Sequence, residues 1–383
     1  MESPNLPLGW RPTFDGIRGI AVVSVVLFHF KTQPMLDGGW VGVDLFFALS
    51  GFLITSLLLE EWWASGSISL PRFYVRRFLR LFPAFCAFVA VVVAVRLGYR
   101  DAWFTGHPTV HDTLENAAFG FSYAYNWALA FDLVDPVSFG HLWSLAVEEQ
   151  YYLLWPGLLV ILLRLGLSLR GLVLVTALLA VASASVPMLL DDPSWRRVYY
   201  GSDYRVHGLL IGSITGMLFS GGVVRREHIG HPIFRAMLAV AVAYIGALML
   251  FSTTKPAFLF LWGIPALGVA GSLVVLACAF ADGGWPVRVL GNRVVTYLGQ
   301  RSYAIYLWHL PIGQWFRYLD APQQLLVAGA VTLLAAELSH RLVERPALSL
   351  KGRFGRGRAR APAVAPAVMA PPVIEAARGE AAA

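Results

Sequence analysis

Ten stretches of predominantly apolar residues run through this chain at 14–33, 40–60, 81–97, 141–163, 171–190, 204–220, 236–254, 257–280, 296–316 and 323–343. Each is close to the ~20 residues that a helix needs to cross a bilayer. In hydrocarbon every backbone N–H and C=O must be satisfied inside the segment, so each run has to be a helix packed against other helices. The composition agrees, because 57% of the 383 residues are hydrophobic and only 14% are charged. Ordinary soluble domains carry roughly a quarter charged residues. That excludes a soluble globule, a disordered chain and a disulfide scaffold. The expected fold class is an all-α polytopic membrane protein of about ten transmembrane helices, multi-pass in the cell membrane.

Charge sorts the connections. With the N-terminus inside, 21 of the 30 basic residues fall on the cytoplasmic side and seven on the other, while Arg18 and Arg205 lie within runs. That bias predicts N- and C-termini that are both cytoplasmic. The formal charge of +7 does not point to nucleic acid, since the basic residues come in small groups between apolar runs. Cys86 and Cys278 sit in apolar runs without CxxC spacing and read as buried small hydrophobes. No constellation suggests a metal. The expected organisation is a short cytoplasmic segment over 1–13 without the marks of a cleavable signal, a transmembrane domain over 14–346, and a disordered Ala-, Pro- and Arg-rich cytoplasmic tail over 347–383. The long connection 98–140, with His107, Asp112 and Glu115, is expected outside.

Ionisable groups inside such runs are expensive and mark function by default. Arg18 and His29 in the first run are eleven residues apart, which returns to within ~20° on a helix and separates them by ~16 Å along its axis. They share a face, with Asp15 placed to pair with Arg18. Asp44, at the start of the second run, lies across a short connection from His29 and is placed to orient its imidazole. Ser50 and Gly51 read as packing residues. In RFYVRRFLRLFP, Arg72, Arg76 and Arg80 share one helical face and Arg77 neighbours Arg80. These arginines either enforce topology, bind anionic lipid, or clamp a phosphate group. HLWSLAVEEQYYLLWP sets His141, Ser144 and Glu148 on one face, with Glu149 and Tyr152 beside them. Of the two carboxylates, Glu148 is expected to face the acceptor or His29, and Glu149 to pair with an arginine or tyrosine. SYAIYLWHLP sets Ser302, Tyr306 and His309 on one face.

These motifs, in this order, resemble the membrane-bound acyltransferase-3 family, the O-antigen acetylases and their relatives, across 14–346. The resemblance is carried by FDGIRGIAVVSVVLFHF, GVDLFFALSGFLI, RFYVRRFLRLFP, HLWSLAVEEQYYLLWP, SYAIYLWHLP and the closing VERP. It implies a ten-helix enzyme that moves an acyl group, most simply acetyl, from cytosolic acyl-CoA to a hydroxyl of a sugar or glycan, with the acyl-CoA a co-substrate and no bound cofactor. It assigns His29 and Arg18 to the catalytic pair, Arg77 and Arg80 to the basic Arg-x-x-Arg motif, and Glu148 and Glu149 to the carboxylate motif. Some members carry a further hydrolase-like domain outside the membrane. Here acceptor choice is expected to come from the membrane domain and its outer loops.

Acyl transfer to an alcohol requires a base for the hydroxyl proton, a cationic or dipolar group for the oxyanion, and a positioned thioester. His29 supplies the base, or forms a transient acyl-histidine. On this reading Asp44 and Glu148 assist catalysis, and Arg72, Arg76, Arg77 and Arg80 hold the acyl-CoA. Glu149, Tyr152, Ser144, His141, Tyr306 and His309 bind substrate. Two alternatives stand beside it: a tailoring acyltransferase of an antibiotic or glycolipid sugar, and a transporter or lipid flippase without acyl transfer.

Overall fold

The computed structural model describes residues 8–30, 36–98, 109–136, 138–252 and 259–350, and among these there are helices and no strand. The tail beyond 350, His107 and the connecting residues Lys31, Arg100 and Lys255 lie outside the described residues. Among the described residues ten helices of fourteen residues or more form the body. They are α1 (Pro12–His29), α2 (Val41–Ser65), α3 (Leu70–Gly98), α4 (Leu142–Arg164), α5 (Leu169–Ala184), α6 (Ser202–Ser220), α7 (Pro232–Phe251), α8 (Ile264–Ala279), α9 (Ser302–Trp315) and α10 (Ala321–Ser339).

Each of these helices falls on one of the ten apolar runs. Six have the length and apolar character to cross a membrane: α1, α2, α3, α7, α8 with the π-helical turn before it, and α10 with its continuation. α5 and α9 are shorter, at 16 and 14 residues. α4 and α6 have the length but carry Glu148, Glu149 and Gln150, and Asp203, Arg205 and His207. Of these polar residues Glu148 lines a cavity and Arg205 and His207 are buried, so the hydropathy of these two helices is diluted partly by interior groups.

Three boundaries differ from the apolar runs for local reasons. α3 starts at Leu70 rather than 81, because Pro71 is pre-set for a first turn and arginine is a good helix former. The basic segment is therefore the first three turns of α3, helical as its arginine spacing predicts. The run at 171–190 ends as α5 at Ala184, ahead of a separate short turn Val186–Leu189; Pro187 has no N–H to continue the ladder. The run at 296–316 breaks at Arg301 into Arg293–Gln300 and α9. In the connection 98–140, residues Val110–Phe121 form a helix whose start is closed reciprocally. Thr109 Oγ accepts from the Asp112 N–H at 3.2 Å, and the Asp112 carboxylate accepts from the Thr109 N–H at 2.5 Å.

α2 is the central helix and packs on α1, α6 and α8. Its contact with α6 is a close backbone approach. A Cβ on Gly212 would stand 2.2 Å from the Ala48 carbonyl oxygen, and one on Gly51 would stand 1.9 Å from that of Leu209. In a membrane, where apolar burial does not drive helices together, such small-residue seams set register and crossing. The same interface holds a buried ion pair. Arg205 Nη2 donates to both Asp44 oxygens at 2.9 and 3.0 Å, and its guanidinium carbon lies 5.1–5.6 Å from the rings of Trp143, Tyr199 and Phe47.

Candidate active site

Among the described residues two neighbouring cavities bring together most of the residues singled out in the sequence. The first is lined by Arg18, Arg77, Arg80, Ser50, Glu148, Tyr152, Ser302, Tyr303 and Tyr306 among apolar side chains. Its basic wall is aimed by two hydrogen bonds that fix the rotation of α3: Tyr74 OH donates to Leu153 O at 2.8 Å, and Tyr303 OH donates to Leu81 O at 2.9 Å. The Arg77 guanidinium lies 3.5 Å over the Tyr152 ring. Tyr152 OH in turn donates to Glu148 at 2.9 Å, one helical turn earlier, and Ser50 Oγ donates to the same oxygen at 2.5 Å. Arg18 pairs with Asp15 at 3.0 Å, as its spacing predicts, while Trp10 Nε1 donates to the other Asp15 oxygen at 3.0 Å. Three guanidiniums thus face one space. Beyond them opens a vestibule that shares Arg18, Arg77 and Arg80 and adds Arg76 and Glu61, which lie 3.7 Å apart. A concave site of this kind suits a polyanion.

The second cavity is lined by His29, His141, Gln314 and a set of aromatic rings that includes Trp40, Trp143, Trp195, Tyr199 and Tyr200. Val43 and Tyr306 line both cavities. Tyr306 is held in that partition, donating to the His141 carbonyl at 2.8 Å with its oxygen 2.5 Å from Ser144 Oγ.

The tautomers of the histidines follow from carbonyl partners, which only accept. His309 Nδ1 lies 2.6 Å from Tyr306 O and therefore carries its proton, which leaves Nε2 as the acceptor of a neutral ring. His29 Nδ1 lies 2.8 Å from Val25 O and 3.3 Å from His309 Nε2. Its N–H is shared between them. His29 Nε2 then carries the lone pair, as a general base requires. His309 is fully buried behind His29, and His141 packs edge-on against it with ring centroids 5.2 Å apart. Among the described residues no group of three His, Cys, Asp or Glu is arranged to hold a metal.

Several expected relationships are corrected by this geometry. Asp44 does not meet His29; both of its oxygens are taken by Arg205. The residues that orient His29 are Val25 and His309. Arg18 and His29 share a helix face but not a cavity, because their separation along α1 sets one among the arginines and the other among the aromatics. Arg72 is exposed, hydrogen bonds to Ser69 Oγ at 3.0 Å and lines neither cavity, whereas Arg76, Arg77 and Arg80 do the lining. Glu148 faces the arginine cavity rather than His29. Glu149 makes no ion pair among the described residues, and its Oε1 is buried without a hydrogen-bond partner. The face His141, Ser144, Glu148 does run along the site, past both cavities in turn.

Two participants were missed in the sequence. Ser50 is a cavity-wall donor to Glu148 rather than packing, a role that nothing in its local pattern signals. Arg205 had a signal, since it and Asp44 are opposite charges in two different apolar runs.

The family model described as "Acyltransferase domain" matches residues 11–337. The peptidoglycan O-acetyltransferase OatA of Listeria monocytogenes is 32% identical over 88% of this chain and 55% of its own length. The putative peptidoglycan O-acetyltransferase YrhL of Bacillus subtilis is 31% identical over 88% of this chain and 54% of its own. A putative O-acetyltransferase of Staphylococcus aureus is 30% identical over 88% and 57%. The chain thus spans about half the length of the curated relatives it matches. No solved structure matches it. With the family match running from the start of α1 into the last turn of α10, this multi-pass membrane chain belongs to the acyltransferase-3 family.

Proposed function

We propose that this chain is a membrane O-acyltransferase that takes an acyl group, of acetyl size, from acyl-CoA bound on the arginine side and delivers it to a glycan hydroxyl on the histidine side. The observation that carries the reading is the adjacency of two cavities of opposite chemistry that share Val43 and Tyr306. Arginine forks suit the phosphates of a CoA, and Arg76 in the vestibule and Arg18, Arg77 and Arg80 deeper in are the residues that hold them. Glu148, fastened by Ser50 and Tyr152, keeps the Tyr152 ring under Arg77 and so positions that guanidinium.

On this reading all ten helices cross the membrane and both termini are cytoplasmic, so the soluble donor enters from the cytoplasm and the glycan from outside. The transmembrane domain of 14–346 carries the reaction. His29 Nε2 takes the acceptor proton as the acceptor oxygen attacks the thioester carbon. A C–O bond forms, the C–S bond breaks, and CoA leaves with the proton that the imidazolium returns. General-base assistance of this kind contributes ~10²–10⁴-fold. A glycan acceptor is supported by the names of the relatives, two of which refer to peptidoglycan, and by the aromatic lining around His29. A tailoring enzyme acting on a smaller sugar conjugate would use the same residues.

The test is reconstitution of the chain in vesicles with radiolabelled acetyl-CoA on the arginine side and soluble peptidoglycan fragments on the other. Label in the glycan with matching CoA release is the expected result. Transfer of an intact solute with no CoA release would instead identify a transporter and overturn the proposal.

A further inference from the structure

We infer that Tyr306 is the oxyanion donor of the acyl transfer: its hydroxyl, backed by that of Ser144, stabilises the charge that develops on the thioester carbonyl oxygen. This assignment rests on the acyl-transfer reading, which names the reaction but not the group that receives the charge.

A thioester held from the arginine side and a hydroxyl activated by His29 meet where the two cavities adjoin. Among the described residues Val43 and Tyr306 line both, and of these Tyr306 alone carries a polar group. Arg18, Arg77 and Arg80 line the first cavity and Gln314 the second, but none of them lines both. Arg18 starts about three helical turns from His29 along α1. The Tyr306 ring is wedged at the boundary, with the Phe46 ring 6.5 Å and the His309 ring 5.4 Å from it, centroid to centroid. A donor so held is in place before the charge forms, which is the condition for electrostatic stabilisation of a transition state.

The hydroxyl also has a proton to spare. Tyr306 OH donates to the His141 carbonyl at 2.8 Å, and Ser144 Oγ lies 2.5 Å from the Tyr306 oxygen. Ser144 Oγ is also within donating distance of the same carbonyl, at 3.4 Å. Two hydroxyl protons therefore serve one fixed acceptor. When Ser144 turns its O–H to the His141 carbonyl, Tyr306 can give its own to a third oxygen and no buried carbonyl loses its partner. Only hydroxyl hydrogens move; the ring and the oxygens stay in place. Both residues line the first cavity, where the thioester arrives.

As the acceptor oxygen bonds to the thioester carbon, the carbonyl π pair moves onto its oxygen, and the Tyr306 O–H hydrogen bonds to it. The proton stays on Tyr306. When the carbonyl re-forms, the C–S bond breaks, sulfur leaves with the bonding pair, and the His29 imidazolium supplies its proton. Tyr306 ends the cycle unchanged and returns to the His141 carbonyl. Ser144 is a positioning residue in this scheme, since it acts through Tyr306.

The experiment is steady-state kinetics of the full chain in vesicles, with radiolabelled acetyl-CoA and soluble peptidoglycan fragments. Tyr306→Phe keeps the ring and removes the donor. Its kcat should fall by about 10²–10³-fold, the range for loss of one oxyanion donor, with KM for both substrates within about threefold of wild type. Ser144→Ala leaves the His141 carbonyl dependent on Tyr306, so kcat should fall roughly tenfold at unchanged KM. Ser144→Thr, which keeps a hydroxyl, should recover most of that loss. Thermal unfolding in detergent identifies a variant that has lost its fold; if Tyr306→Phe does so, the two Ser144 variants decide. A kcat for folded Tyr306→Phe within about threefold of wild type, or a change confined to KM, overturns the assignment and leaves Tyr306 as a wall. Equal losses in Ser144→Ala and Ser144→Thr overturn the shared-proton arrangement on which it stands. Absence of label transfer by wild type overturns the acyl-transfer reading itself, and the assignment with it.

Discussion

His309 Nε2 lies 3.3 Å from His29 Nδ1 and, with its own proton directed at Tyr306 O, acts as a neutral acceptor. The more familiar partner of a catalytic imidazole is a buried carboxylate, which also stabilises the imidazolium. Here the orienting group carries no charge. The tautomer of His29 is therefore set by geometry, by His309 on one side and the Val25 carbonyl on the other.

His309→Ala should accordingly lower kcat by roughly 10²-fold while leaving KM for acyl-CoA near its wild-type value, because the change touches only the base. His309→Gln, whose amide oxygen accepts a hydrogen bond, should restore part of the loss. Steady-state kinetics of the two folded variants check this. Equal losses in both would show that His309 serves packing alone.

The arginines are expected to divide by position. Arg77→Ala and Arg80→Ala remove cavity-lining guanidiniums and should raise KM for acyl-CoA by tenfold or so, with a smaller effect on kcat at saturation. Arg72→Ala, on the exposed side of the same helix, should change neither. A comparable KM effect at Arg72 would mean that the basic segment acts through its overall field.

Asp44→Asn leaves the buried Arg205 guanidinium without its counter-charge. Breaking such a pair costs about 3–5 kcal/mol, so the midpoint of thermal unfolding in detergent should fall markedly. Asp44→Asn combined with Arg205→Met should recover much of that loss, since replacing both members by groups of similar volume is close to neutral. Turnover per folded molecule should survive in the double variant. If turnover vanishes while stability returns, Asp44 has a chemical role after all.

Glu148 holds Ser50 and Tyr152 and faces the arginines. Glu148→Gln should loosen the Tyr152–Arg77 stack and weaken acyl-CoA binding by about three- to tenfold, with KM for the glycan unchanged. Competition binding with CoA gives the first number and initial rates against glycan concentration the second. A selective rise in glycan KM would return Glu148 to the acceptor side.

Gly212→Val forces a side chain into a space where the first carbon already meets the Ala48 carbonyl. The obstacle is backbone, which cannot rotate away, so α2 and α6 must separate. The destabilisation should reach the upper end of the overpacking range, about 3 kcal/mol. Gly157→Val, where a Cβ would meet nothing within 4 Å, should have far less effect on the same unfolding midpoint.

Much of this protein is legible along the chain because hydropathy and helical period are local properties. The apolar runs locate all ten long helices to within a turn or two at most ends, and the eleven-residue spacing puts Arg18 and His29 on one face whatever surrounds them. The motifs mark the polar residues that line the interior. What the period does not carry is the rotation and register of one helix against another. The sequence offered Asp44 only His29 as a partner, and the glycine seam between α2 and α6 brought it to Arg205 instead. Arg72, Arg76 and Arg80 look equivalent on a helical wheel, yet the hydrogen bonds of Tyr74 and Tyr303 turn α3 so that Arg77 joins the cavity and Arg72 leaves it. Glu148 and His29 lie in different cavities because they sit at different depths along α4 and α1. The amino-acid pattern determines which faces must be buried; only the packing of those faces decides which buried groups meet, because contacts between distant helices depend on backbone approach that no single segment encodes.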